Sequence, residues 1–115
     1  MMMVQSWRFA AAALALSLCI NMDAAAADAA PKSTNHTIVI DSVRFEPQAL
    51  TVKIGDTVTW VNKDPFPHTA TSQAGGFDSR EIAPGQSWRY TAIKLGIFPY
   101  VCALHPTMKG TLTVQ

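Results

Sequence analysis

Between Leu50 and Val61 the chain reads LTVKIGDTVTWV, two alternating runs interrupted only by Gly55-Asp56. Leu50, Val52 and Ile54 share one side of an extended chain, with Thr51 and Lys53 on the other. Beyond the turn, Val58 and Trp60 resume the apolar side. A period of two sends successive side chains to opposite faces of a strand, and no helix can bury such a pattern on one face. Two such runs joined by a short glycine-containing turn predict a hairpin. The same grammar recurs along the chain. HTIVIDSV (36–43) is rich in β-branched residues and is broken by RFEP, and QSWRYTA sets Trp88 and Tyr90 on one face after the Pro84-Gly85 turn. Gly96 opens IFPYVC, and KGTLTVQ ends the sequence. No window sustains a 3.6-residue apolar period, although 71–80 has room for one short helical turn. Short strands punctuated by Gly and Pro predict an all-β, antiparallel sandwich or barrel.

The N-terminal stretch obeys a different rule. Arg8 precedes an apolar run, FAAAALALSLCI (9–20), and then small residues with several Ala-x-Ala matches. The run falls short of the roughly 20 residues a membrane-spanning helix needs. A basic start, an apolar middle and a small-residue site together predict a secretory signal peptide over 1–27. Residues 28–36 then form a short tail, and 37–115 a single domain of a size able to fold alone. Leu18 stands before Cys19 where a lipid-attachment site wants a small residue, so no lipid anchor is expected. Nine Lys and Arg against eight Asp and Glu, scattered singly, suggest neither nucleic acid nor an anionic membrane surface as partner.

Export makes the cysteine count informative. Beyond the leader the only cysteine is Cys102 and the only methionine is Met108, and His105 lies between them in CALHPTM. An unpaired thiol in an oxidising compartment is reactive, paired with another chain, or occupied. Thiolate, imidazole and thioether on one short loop between the last two strands point to a metal. The fourth donor is either His36 or His68. His68 follows a core strand in a loop stiffened by Pro65 and Pro67, whereas His36 adjoins the N-terminal tail and reads as a solvated residue. The expected ligands are therefore His68, Cys102, His105 and Met108. A thioether is a poor zinc donor, while two His, one Cys and a weak axial Met suit blue copper.

The stretches FEPQALTVKIGDTVTWVNKD, PHT, GGFDS, APGQSWRYT and GIFPYVCALHPTMKGTLTV resemble the cupredoxins, in particular the amicyanin and plastocyanin branch. The two-residue gap between His105 and Met108 is like amicyanin; Thr69, Leu104 and Thr107 depart from the amicyanin pattern. The resemblance implies a Greek-key β-sandwich of about eight strands with one copper ion at one end. It also implies a Thr69 N–H hydrogen bond to the Cys102 sulfur. It implies a type 1 copper protein that carries single electrons between transient redox partners; the cleavable leader without an anchor points to the periplasm, and a monomer is expected. Docking is expected near His105 and Pro106, beside the Pro65-Phe66-Pro67 loop. An enzyme is not expected: a single domain with only His36 to spare lacks the second, His-rich copper site of the multidomain copper enzymes. The competing role is copper binding and delivery without electron transfer.

Overall fold

The computed structural model describes residues 2–3 and 32–115. The predicted leader and its cleavage site fall almost wholly outside these residues. Among the described residues there is no helix, and nine strands build two sheets. They are β1 (Asn35–Asp41), β2 (Arg44–Glu46), β3 (Ala49–Val52), β4 (Thr57–Asn62), β5 (Thr71–Ser72), β6 (Phe77–Asp78), β7 (Ser87–Thr91), β8 (Gly96–Cys102) and β9 (His105–Val114). One sheet has the order β2-β1-β4-β7 and the other β3-β9-β8-β5-β6. The all-β sandwich expected from the sequence is the fold. The count exceeds eight because β5 and β6, two residues each, pair where a helical turn had room.

Alternation dictates which side chains face inward. In β4 Val58, Trp60 and Asn62 are buried, and in β9 so are Met108, Gly110, Leu112 and Val114. β8 turns Phe98, Tyr100 and Cys102 inward. An aromatic cluster fills the space between the sheets. Tyr100 meets Trp60 edge-on at 5.5 Å and Phe45 at 4.7 Å, and Phe77 packs on Tyr90 at 4.7 Å. Such pairings add roughly 0.5–1.5 kcal/mol each beyond the area they bury.

The predicted hairpin between 50 and 61 is not formed. β3 and β4 lie in different sheets, β3 parallel to β9 and β4 between β1 and β7. Both sheets are therefore mixed, since β1 also runs parallel to β4. The residues expected to face inward do so at Val52, Val58 and Trp60, but from opposite sides of the core. Ile54 leaves the row and is 47% exposed, because the chain crosses between sheets there. Its amide donates to the Gln115 carbonyl, and Gly55, at φ 90°, donates to the Ala92 carbonyl. The RFEP segment is also not a break: Arg44–Glu46 forms β2, folded back on β1 by the two-residue turn Ser42-Val43.

Candidate metal centre

The inward row of β8 ends on Cys102, so the thiol is the last member of the core stripe Phe98, Tyr100, Cys102 and is fully buried. A register shift between Val101 and Cys102 ends the regular ladder, and Cys102 pairs with His105. The expected loop is thus very short: only Ala103 and Leu104 lie outside strands, and His105 to Met108 begins β9. Alternation along β9 then turns Met108 inward, into the same apolar cluster as Cys102.

His68 arrives from the other sheet. After β4 the buried Asn62 organises the turn: its amide donates to the carbonyls of Phe66 (2.7 Å) and Ile82 (3.0 Å), and its side-chain oxygen accepts from the Asp64 amide. The His68 backbone then forms an isolated bridge with Ile82, and its ring is completely buried. Nδ1 lies 3.6 Å from Cys102 Sγ, and His105 Nδ1 lies 3.8 Å from the same sulfur. All three donor atoms fall within 4.8 Å of one another. Bonds of about 2.1 Å to nitrogen and about 2.3 Å to sulfur around one ion would separate N and S by about 3.6 Å at a tetrahedral angle and about 3.8 Å at a trigonal one. The donors already stand at one ion's spacing.

The sulfur is held from behind. The Thr69 amide donates to Cys102 Sγ at 3.3 Å, as the resemblance implies. Thr69 Oγ1 accepts from the Ala103 amide at 2.8 Å, locking the two segments together. His36, by contrast, is not in the cluster. It is not freely solvated either: its Nε2 lies 2.9 Å from Asp56 Oδ2.

The sequence reading missed Asp64. Its side chain lies 2.8 Å from His68 Nε2 and accepts from the amides of Ser42 and Val43. Burial pushes this carboxyl up, but the bonds from Val43, His68 and Ser42 outweigh it and hold it below the usual carboxylate range. An acidic residue four positions before a candidate donor histidine is the one sequence signal that could have found it.

The cupredoxin-like domain family matches residues 9–114. The chain belongs to this family. A plastocyanin from Scenedesmus fuscus is 38% identical over 84 residues, covering 62% of this cupredoxin and 86% of the relative. Among solved structures, the Cu(I) form of an amicyanin point mutant is 27% identical with a TM-score of 0.65, over 77% of this chain and 89% of that one. A Cu-containing nitrite reductase from Thermus scotoductus SA-01 is 29% identical with a TM-score of 0.67, over 75% of this chain but only 23% of its own. Both solved structures are of copper proteins, and the donors of this cupredoxin are arranged as a site for one copper ion.

Proposed function

We propose that this cupredoxin is a single-electron carrier whose copper is held by His68 Nδ1, Cys102 Sγ and His105 Nδ1, with Met108 as a weak axial donor. The observation that carries this reading is the convergence of two imidazole nitrogens on one buried sulfur. Bound copper supplies a Cu(I)/Cu(II) couple, with thiolate ligation giving intense visible absorption and Met108 helping to set the potential. The chain's contribution is stiffness. Cys102 sits in a strand, His105 opens another, His68 is bridged to Ile82, and the Thr69 bonds tie the pieces together. A ligand set that cannot relax between oxidation states keeps the reorganisation accompanying each transfer small.

The docking face follows from exposure around the one ligand that reaches solvent. His105 is partly exposed, and the residues before and after it, Leu104 and Pro106, are open; Leu104 is 51% exposed and Phe66, two residues before His68, is 54% exposed. A small apolar area around an electron entry point suits brief encounters with redox proteins, whose interfaces are small and weak. Catalysis is not carried over from the nitrite reductase, of which this chain spans less than a quarter. The predicted leader supports a periplasmic location.

Voltammetry of the copper-loaded protein tests the carrier role and should give a reversible one-electron wave. Tight copper binding without such a wave would favour delivery instead. In parallel, Cys102→Ala should remove the intense visible band and leave the β-fold's circular dichroism in place. A band that survives this change would eliminate thiolate-bound copper.

A further inference from the structure

The Asp64 carboxylate is aimed at by three N–H groups. Ser42 N donates to Oδ1 at 2.7 Å, while Val43 N and His68 Nε2 both approach Oδ2 at 2.8 Å. A carboxylate only accepts, so the proton of the neutral His68 ring sits on Nε2 and the lone pair on Nδ1 faces Cys102 Sγ. His105 has no such arrangement: among the described residues its ring nitrogens meet only the sulfur.

The other two donors belong to a turn that the local sequence does not favour. Ser42 and Val43 have φ of 54° and 56°, the two-residue hairpin geometry normally filled by Asn-Gly or Asp-Gly. A β-branched residue there is a steric outlier that persists only where its surroundings over-determine it. The surroundings are Asp64, which collects both turn amides.

Resting on the copper reading above, we propose that Asp64 is a positioning residue of the metal centre: the carboxylate that closes the β1–β2 turn also fixes His68 as an Nδ1 donor before metal arrives. Partners that orient a ligand histidine act on affinity, because a ring free to flip or change tautomer must be ordered when the ion binds. The negative charge also favours the more positive oxidation state.

Asp64→Asn tests this. An amide offers one acceptor where three donors converge, and its own NH2 faces N–H groups. Cu(II) affinity, measured by competition with a chelator, should fall by roughly 10–100-fold. The reduction potential should rise, because Cu(II) loses more than Cu(I). Asp64→Glu, which keeps the charge, should recover part of the affinity.

A purely structural role is separated by Ser42→Asn with Val43→Gly in the Asp64→Asn background. These residues fit the turn without a carboxylate and keep the protein folded should Asp64→Asn alone not be. Stability should return while copper affinity stays low. Affinity that returns together with the turn, or an Asp64→Asn protein with affinity within two-fold and an unmoved potential, overturns the proposal. The wild-type visible band is recorded alongside: its absence would refute the copper reading, whatever Asp64 does.

Discussion

His36 and His68 each present Nε2 to an aspartate, yet only one is placed to bind metal. What separates them is the opposite edge of the ring: Nδ1 of His68 faces a buried sulfur at 3.6 Å, and His36 is not among the clustered donors. Replacing His68 by Ala should therefore abolish the copper spectrum, while His36→Ala should leave it unchanged, as absorption titration of both variants would show. The His36 partner has a separate task. Asp56 is held at about 2 by the amides of Thr34 and Lys53 and by His36. A carboxyl depressed in the folded state adds stability that is complete above its unfolded value of about 3.9 and disappears as pH falls to the folded one. Between about pH 4 and pH 2, then, the start of β1 should loosen from the crossing at 53–56. Protection of the Thr34 and Lys53 amides from hydrogen exchange, relative to their intrinsic rates at each pH, should fall over that interval and should not in Asp56→Asn. An equal loss of protection in the variant would assign the effect to other groups.

At the scale of elements, Tyr100 of β8 lies flat against Gly110 of β9, which it pairs with directly. A Cβ at Gly110 would stand 2.3 Å from Tyr100 Cζ and 2.4 Å from its hydroxyl oxygen. The ring cannot yield, being 1% exposed and wedged between Trp60 and Phe45. Gly110→Ala should destabilise by about 1–3 kcal/mol, the usual range for overpacking, and chemical denaturation would measure it. A change under half of that would mean the strands part more easily than their packing implies. The same strands mark how far the sequence could be read. Alternation identified Val52, Val58 and Trp60 as inward, because burial acts on each residue locally. It did not tell that β3 pairs with β9 rather than β4, since two strands facing across a core alternate just as two strands side by side do. The Ser42-Val43 turn was missed for another reason: its conformation is imposed by a carboxylate over twenty positions away, and neither residue advertises it. The cluster of His68, Cys102 and His105 was legible because its donor chemistry is rare in this composition; Asp64 was passed over because its spacing of four from His68 is a weak signal on its own.

At the scale of the molecule, apolar exposure among the described residues does not by itself mark the proposed docking end. Ile93, Leu95 and Ile97 are 77%, 64% and 68% exposed, more than Leu104 or Phe66. Ile97 lies about 17 Å along β8 from Cys102 at the usual strand rise. Proximity to His105 is what should matter. Leu104→Glu should slow electron self-exchange, measured from NMR line broadening in mixtures of oxidised and reduced protein, at an unchanged potential. Ile97→Glu should leave the rate as it is. Equal slowing in both would mean that charge, and not location, governs the encounter. The run of β9 bears on how this protein would be wired to a surface. That strand begins at His105 and leads to Gln115, which is pinned by backbone bonds to Val52 and Ile54. At about 3.3 Å per residue, the two lie roughly 33 Å apart. A conducting support attached through Gln115 would sit at the pole remote from the copper, and tunnelling probability falls exponentially with separation. Such a film would exchange electrons readily with carriers in the solution above it and scarcely at all with the metal beneath, whereas attachment through the Leu104 face would reverse the two.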